Sequence, residues 1–187
     1  EATAEYVLSL KPDVVVLATG GVPKTMAVPN KGITVVQAVD VLLGKTMAGQ
    51  NVLIVGGGQV GLETAKYLLS QNRQATIVEM EDSVGQDIHP SIKHFLLKSL
   101  EAGGTKILTG TKVVEFLKDG ALCDNSGRTV ELTGFDMVIL AVGSQSYNPL
   151  EKELAGKVKA LHVIGDALEP RTAVIAVDEG ALLALEL

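Results

Sequence analysis

Short apolar runs, rich in Val, Ile and Leu and bounded by turn residues, recur along this chain. Such runs are typical of strands buried in a parallel sheet. They predict strands at residues 14–18, 33–36, 51–55, 75–79, 105–108, 137–141 and 161–164. Apolar residues at helical spacing predict helices at 38–43, 59–70, 90–102 and 171–187. Because strands and helices alternate, the pattern favours an α/β fold.

The pattern changes between residues 112 and 132, where short strands are separated by turn signals. We expect strands at 112–117, 121–123 and 129–132, and this order predicts an antiparallel meander. The architecture predicted for the whole chain is therefore a central parallel sheet with helices on one side and a three-stranded antiparallel meander on the other.

The composition agrees with such an interior, because 47% of the residues are apolar and only 3% are aromatic. The net charge of -6, with both signs interspersed and no Lys/Arg stripe, argues against nucleic acid as a partner. The apolar runs are far shorter than the roughly 20 residues of a membrane-spanning helix, and no signal-peptide pattern is present. We therefore expect a cytoplasmic protein with no membrane partner.

Cysteine and histidine are the residues that most often hold metals or carry redox chemistry. Cys123 is the only cysteine, so the chain by itself cannot form a disulfide, a CxxC pair or an iron–sulfur ligand set. We expect a buried, inert thiol there. His89, His94 and His162 are scattered without further ligands at metal spacing, so no metal site is predicted. Redox chemistry must therefore reside in bound cofactors or outside this chain.

The strongest functional signal is a glycine-rich loop between the strand at 51–55 and the helix at 59–70. In its GxGxxG pattern, Gly56 permits a tight turn, Gly58 lets a diphosphate approach the backbone, and Gly61 lets helix and strand pack closely. The loop amides and the positive end of the helix then face the anion. The residues predicted to bind a dinucleotide here are Gly56, Gly57, Gly58, Gln59, Val60 and Gly61.

An acidic residue at the end of the next strand supports this interpretation. Glu79 lies 18 positions after the last loop glycine, where its carboxylate can accept hydrogen bonds from the adenosine ribose, and Met80 follows it. A loop that is merely rich in glycine is the alternative, which the position of Glu79 disfavours. Glu81 and Asp82 come next, with no Lys or Arg between residues 79 and 86, so a ribose 2'-phosphate would meet repulsion. NADH is therefore favoured over NADPH. The fold that these signals predict is a Rossmann-like FAD/NAD(P)-binding fold.

Other segments also place glycine at or just after the end of a strand. They are Ala18-Thr19-Gly20-Gly21, Ala141-Val142-Gly143 and Ile164-Gly165-Asp166-Ala167, the last followed by Pro170-Arg171. The order ATGG, GGGxxGxE, AxG, GDAxxPR resembles the C-terminal half of the multidomain old-yellow-enzyme-like flavoproteins, such as 2,4-dienoyl-CoA reductase, 2-enoate reductase and trimethylamine dehydrogenase. The resemblance covers essentially the whole chain. The position of Pro-Arg after Gly-Asp favours this branch over the disulfide reductases.

The resemblance implies an NAD domain inserted into an FAD domain. Residues 1–46 would be the C-terminal part of an incomplete FAD-domain core, residues 47–145 the NAD(H)-binding domain, and residues 146–187 the returning FAD segment. By resemblance, Asp166 would bond the FAD ribityl or nearby hydroxyls. The resemblance also assigns Gly143 to NAD, and Ala18, Thr19, Gly20 and Gly165 to FAD.

Two charged residues keep alternatives open. Glu63, two residues past Gly61, points across the first helical turn toward the nicotinamide side in the family pattern, or is a solvated carboxylate near the helix N-terminus, stabilised by the helix dipole. Arg171 approaches a flavin phosphate or domain contacts, or forms an ordinary surface salt bridge. No catalytic residue is assigned.

The chain also departs from the family pattern. The FAD domain of the family begins with its own GxGxxG, whereas this chain contains one such motif, and the upstream FMN barrel and iron–sulfur cysteines of the family are missing. The chain begins at Glu1 and ends at Leu187 inside an apolar helical pattern, so we expect a piece of a longer polypeptide. The expected partners are its own N-terminal FMN and FAD domains and a small-molecule substrate, with a homo-oligomer left open.

Three functions are compatible with these signals. In the first, NADH delivers hydride to FAD in the intact enzyme, and the electrons reach a flavin site that reduces activated C=C bonds. The second is a fragment of a pyridine-nucleotide disulfide reductase or NADH oxidase, which needs upstream redox cysteines. The third is a structural module that holds ADP without hydride transfer. We favour the first, and expect the fragment alone to bind NAD(H), to hold FAD poorly or not at all and to catalyse nothing.

Overall fold

The computed structural model describes all residues from 1 to 187. The strands, in chain order, are β1 (Val14–Leu17), β2 (Gly21–Pro23), β3 (Val35–Gln37), β4 (Asn51–Val55), β5 (Gln74–Val78), β6 (Lys106–Leu108), β7 (Thr111–Phe116), β8 (Ala121–Asn125), β9 (Arg128–Leu132), β10 (Met137–Leu140), β11 (Ser144–Ser146) and β12 (Ala160–Val163). The helices are α1 (Ala4–Ser9), α2 (Ala38–Leu42), α3 (Gln59–Ser70), α4 (Pro90–Ala102), α5 (Glu151–Leu154) and α6 (Ala173–Glu186), and a single 3₁₀ turn covers Gly165–Ala167.

The predicted strand–helix order is observed, with element ends close to those expected. β4, α3 and α4 begin and end at the predicted residues. Pro90 occupies the first turn of α4, where its missing amide hydrogen costs nothing, and Gly103 caps the other end. β1 and β10 each end one residue before the predicted end, so Ala18 and Ala141 belong to the loops that follow.

The chain forms two compact units. Unit 1 comprises residues 1–24 and 144–187, and unit 2 comprises residues 25–143. Unit 2 is thus one continuous stretch of sequence, whereas unit 1 is assembled from both ends of the chain. The assignment of residues 1–46, 47–145 and 146–187 to FAD and NAD(H) domains stays a prediction.

Unit 2 is built on a five-stranded parallel sheet with the order β3-β10-β4-β5-β6. At its centre, Leu53 of β4 lies between Val138 of β10 and Thr76 of β5. These three strands are apolar and buried over nearly their whole length, as parallel strands covered on both faces must be. Because the strands are parallel, their carboxyl ends share one edge, and the glycine-rich loop follows β4 at that edge.

The two faces of this sheet are covered by different structures. On one face, α2, α3 and α4 pack against strand residues that include Val52 and Ile54. On the other face, the antiparallel meander β7-β8-β9 packs against Leu53 and Val55, with Phe116 buried between the layers. Successive residues of β4 alternate between the two cores because side chains of a strand point to opposite faces. The predicted fold class is confirmed, including the placement of helices and meander on opposite sides.

Cys123 lies in β8, in the core on the meander side of the sheet. Burial raises the pKa of its thiol to about 11. The thiol is therefore protonated at neutral pH and shielded from reagents. The prediction of a buried thiol is confirmed.

Unit 1 contains a parallel pair, β1 with β12, and an antiparallel pair, β2 with β11. The prediction of a buried strand at 14–18 holds for one face of β1 only. Val15 and Leu17 are buried against Leu154 of α5, whereas Val14 and Val16 are 36% and 40% exposed. A continuous apolar run does not reveal that only one face of its strand is covered.

The elements that the sequence pattern missed are all short. α1, α5, β2 and β11 contain three to six residues each, too few to show a helical or strand period. α1 does carry a helix-start signal, since the Thr3 hydroxyl oxygen accepts a hydrogen bond from the Tyr6 amide at 3.2 Å. Neither unit has a helix with the length and apolar character needed to cross a membrane.

Candidate dinucleotide-binding site

The loop after β4 turns so tightly that two of its glycines pack against backbone atoms. Gly56 has a φ of +108°, and a Cβ on it would overlap the carbonyl oxygen of Ala141, which follows β10. A Cβ on Gly61 would overlap the carbonyl oxygen of Gly56. Any larger residue at either position has to displace backbone, which explains why this sequence places glycine there.

A cavity of about 520 Å³ lies beside this loop at the carboxyl ends of β4, β5 and β10. Ligands of open α/β folds bind at this edge of the sheet, and the volume is that of a ligand pocket. Seven of the residues predicted to bind NAD line the cavity: Gly56, Gly58, Gln59, Val60, Glu79, Met80 and Gly143. The structure thus brings most of the predicted set together around one space.

Gly57, Gly61 and Glu63 are not part of the cavity wall. The Gly57 amide donates a hydrogen bond to Glu79. Gly61 packs closely against the Gly56 carbonyl oxygen at the start of α3. Glu63 is exposed on α3, one turn after Gln59, and its carboxylate accepts a hydrogen bond from the Gln59 side-chain amide at 3.0 Å. Its position matches the solvated carboxylate of the two alternatives.

Glu79 is held in a fixed orientation by the loop that it faces. Its Oε2 accepts a hydrogen bond from the Gly57 amide at 2.5 Å, and its Oε1 accepts one from the Glu81 amide at 3.0 Å. The Thr111 amide donates to the main-chain oxygen of Glu79 at 2.8 Å, which ties this strand end to β7. A carboxylate offers about four acceptor positions, so these two hydrogen bonds leave others for a hydroxyl group.

Asp87 is a further residue at this site, which the sequence did not suggest. Both of its carboxylate oxygens lie 3.0 Å from the Gln59 amide nitrogen, at the first turn of α3. The cap of α4 is His89, whose Nδ1 accepts a hydrogen bond from the Ser91 amide at 3.4 Å.

The meander contributes a second unpredicted group to the cavity, Lys112 of β7. It is the only cation among the lining residues, and it takes part in none of the ion pairs of the chain. No Lys or Arg lies between residues 79 and 86, and no local sequence pattern indicates that β7 brings a lysine to the same cavity.

In unit 1, the turn at Gly165 and Asp166 is held by a carboxylate from α6. Glu179 accepts a hydrogen bond from the Gly165 amide at 2.7 Å and pairs with the Arg171 guanidinium. These bonds, first that from Gly165 and then that from Arg171, lower the pKa of Glu179. Asp166 accepts a hydrogen bond from the Arg171 amide at 3.3 Å. Of the alternatives for Arg171, the structure shows the salt bridge.

The segment at residues 18–21 lies close to this turn within unit 1. Gly20 has a φ of +79°, and the Thr19 hydroxyl donates to the main-chain oxygen of Tyr147. A Cβ on Gly21 would lie 3.7 Å from the Cβ of Asp166 and 3.0 Å from the Gln145 carbonyl oxygen. Residues 18–21 and the turn at Gly165 and Asp166, which come from the two ends of the chain, are therefore neighbours within unit 1.

The sequence profile of the pyridine nucleotide-disulphide oxidoreductase family matches residues 3–180. The metal reductase of Desulforamulus reducens is 37% identical, over 96% of this chain and 32% of its own length. The NADH oxidase of Thermoanaerobacter brockii is 33% identical, over 100% of this chain and 30% of its own length. A solved structure of 2-naphthoyl-CoA reductase with 2-naphthoyl-CoA has a TM-score of 0.89 and 26% identity, covering 100% of this chain and 29% of the other.

These matches confirm the predicted resemblance to multidomain flavoproteins, with NADH and FAD as the cofactors. The chain spans about a third of the length of the relatives that it matches. The activities of those relatives as whole proteins also depend on the remaining two thirds of their sequences, which this chain does not match.

Proposed function

Since this chain belongs to the pyridine nucleotide-disulphide oxidoreductase family, we propose that unit 2 binds NADH as part of a larger flavin oxidoreductase. In that enzyme, hydride passes from NADH to FAD, and electrons continue to a site that reduces enoate- or dienoyl-type substrates. The observation that carries the proposal is the cavity at the strand ends, lined by the GxGxxG loop and by Glu79.

Each part of the cavity has a task in this proposal. The first turn of α3 attracts the diphosphate, because the N–H groups at a helix start and the helix dipole both favour an anion. Glu79, fixed by the Gly57 and Glu81 amides, accepts hydrogen bonds from the adenosine ribose. Gly143, at the cavity wall next to β10, leaves room for the nicotinamide half. When bound, the dinucleotide supplies the hydride.

Glu79 also supports NADH over NADPH. A carboxylate fixed by two backbone amides cannot turn away from a ribose 2'-phosphate, and Glu81 and Asp82 add negative charge beside it. Lys112 is the one cavity cation that could compensate.

The route beyond NADH rests on the relatives and on unit 1. We propose that Ala18, Thr19, Gly20, Gly165 and Asp166 form part of an FAD site, whose remaining part, with FMN and an iron–sulfur centre, lies in N-terminal domains. The name of the structural neighbour, 2-naphthoyl-CoA reductase, supports a substrate of the unsaturated acyl-CoA or enoate class. The name of one relative, NADH oxidase, supports the alternative of an oxidase.

Calorimetric titration of the chain with NADH, NADPH and ADP separates NADH binding from a module that only holds ADP. We expect NADH to bind more tightly than ADP, because the nicotinamide half adds contacts at the Gly143 end of the cavity. Equal affinity for ADP and NADH would favour a module that only holds ADP. Tighter binding of NADPH than of NADH would contradict the role given to Glu79.

Replacing Glu79 by Gln tests that role directly. We expect Glu79→Gln to weaken NADH binding by about 1 to 3 kcal/mol, since a charged acceptor for the ribose hydroxyls is lost. Glu81→Gln is the matched control: it removes the same charge from the same segment, and no hydrogen bond joins its side chain to the glycine loop. Equal affinities for the two variants would contradict a specific contact at Glu79.

A further inference from the structure

Asp87 occupies the position at which the proposed ligand would bring its own negative charge. Its two oxygens share the Gln59 amide at 3.0 Å each, and Oδ2 lies only 3.2 Å from where a Cβ on Gly58 would be. The carboxylate thus covers the glycine at which a diphosphate approaches the backbone most closely. It also lines the cavity itself.

The chain around Asp87 holds it in this place. Val84 and Ile88, on either side of it, are buried in the helix-side core, each with 8% of its surface exposed. The Gly85 amide donates to the Gly57 carbonyl oxygen at 2.7 Å, which ties the segment to the glycine loop. Asp87 itself remains exposed and takes part in none of the ion pairs of the chain. Its only hydrogen-bond partner is the helix amide.

A carboxylate and a diphosphate compete for such a helix end. Both are attracted by the free N–H groups and the positive end of the helix dipole. They also repel one another at a separation of a few ångströms, and no cation within ion-pair distance of Asp87 offsets that repulsion.

We propose that Asp87 is an internal competitor of the dinucleotide diphosphate, and that NADH binds only as this carboxylate leaves the Gln59 amide. The inference rests on the proposed NADH-binding function of unit 2. In the free protein Asp87 caps α3, and in the complex the diphosphate takes its place. Asp87 therefore lowers the affinity for every ligand that carries a diphosphate, and leaves the affinity for adenosine unchanged.

The variant Asp87→Asn tests this competition, because it keeps the shape and an oxygen acceptor for Gln59 but removes the charge. Kd values for NADH, ADP and adenosine are measured by calorimetry on the 187-residue chain. We expect NADH and ADP each to bind at least about fivefold more tightly to the variant, and adenosine to bind equally to both proteins. The gain should shrink as salt is raised from 0.05 to about 0.5 M, since salt screens the repulsion.

Glu101→Gln is the matched control. It removes the same charge from unit 2, and Glu101 is exposed near the end of α4 and does not line the cavity. We expect its Kd for NADH to stay within about twofold of the wild-type value, because an exposed charge without contact to the site is largely screened. An equal gain in both variants would show a general effect of net charge and overturn the specific role of Asp87.

The outcomes distinguish this inference from the proposed function. If the wild-type chain binds NADH and Asp87→Asn binds it equally or more weakly, the competition is overturned while NADH binding stands. If neither protein binds NADH or ADP, the proposed function fails and the competition fails with it. Thermal unfolding of both proteins, without ligand and with ADP, shows that the variant is folded. ADP should raise the Tm of Asp87→Asn more than that of the wild type.

Discussion

The two glycine turns of this chain are built on the same principle, yet their charges are arranged differently. In unit 2, carboxylates of Glu79 and Asp87 accept hydrogen bonds from amides of the turn at 56–61. In unit 1, the carboxylate of Glu179 accepts a hydrogen bond from the Gly165 amide. Glu179 is paired with Arg171, whereas the two carboxylates of unit 2 have no cation partner.

The difference indicates which turn is prepared to exchange its anion. A carboxylate that is bonded to an amide and a guanidinium at once is held by both, and its lowered pKa shows that its charge is stabilised. A carboxylate bonded to one amide alone, as Asp87 is, loses little when another anion takes the amide. The turn of unit 2, which also borders the cavity, is therefore suited to bind an anionic ligand, and the turn of unit 1 is suited to keep its shape.

The largest expected effect comes from Gly61→Ala, which disrupts the glycine turn at residues 56–61 of unit 2. The new Cβ would overlap the Gly56 carbonyl oxygen, and backbone on both sides would have to move. We expect a loss of about 3 kcal/mol in the free energy of unfolding, at the upper end of the usual cost of overpacking. NADH binding should fall at least about tenfold with it, because the loop amides move. Urea unfolding and calorimetric titration measure the two effects.

Gly180→Ala is the counterpart in the helix that follows the second turn. A Cβ on Gly180 would have its nearest neighbour, the Cδ1 of Ile164, at 4.0 Å, so it meets no obstacle. We expect this variant to be more stable than the wild type by about 0.5 to 1 kcal/mol, since alanine favours helix over glycine. Similar losses in the free energy of unfolding of Gly61→Ala and Gly180→Ala would mean that the close backbone packing at Gly61 does not cause the loss.

A smaller effect is expected from Lys112, the cation that unit 2 leaves unpaired beside its cavity. Lys112→Gln should weaken NADH about two- to fivefold at low salt, the loss of one exposed attraction to a phosphate, and less at high salt. Lys106→Gln, in the exposed position of β6, is the control and should leave the Kd unchanged. Equal effects in both variants would place Lys112 outside the ligand's reach.

The sequence predicts the parts of this comparison that depend on neighbours in the chain. β4, the glycine loop and α3 follow one another directly, so periodicity and glycine spacing locate them to the residue. Glu79 is found because the length of one helix and one strand determines where the next strand ends. The meander is predicted from its turn residues for the same reason.

The parts that the sequence misses depend on contacts between distant residues. Asp87 meets Gln59 across 28 positions, through the particular path of the segment between β5 and α4. Lys112 reaches the cavity because of how β7 packs on the sheet, which no local pattern encodes. Glu179 bonds Gly165 across 14 positions, so its role also becomes visible only when the helix α6 is in place. Asp87, Lys112 and Glu179 are polar residues, and nothing in the sequence distinguishes them from ordinary surface residues.

The smallest expected effect concerns the turn at Gly165 in unit 1, which Glu179 holds, and it depends on pH. The folded pKa of Glu179 is lowered below its ordinary value, first by the hydrogen bond from Gly165, so its charge stabilises the folded state at pH values above that ordinary value. This contribution is lost as the pH falls through the lowered pKa. We expect Glu179→Gln to unfold at lower urea concentration than the wild type at pH 7, and the difference to shrink below about pH 4.

Glu169→Gln, which removes a longer and more exposed contact to Arg171, should show neither effect. A constant difference between Glu179→Gln and wild type at all pH values would mean that the charge of Glu179 does not hold the turn.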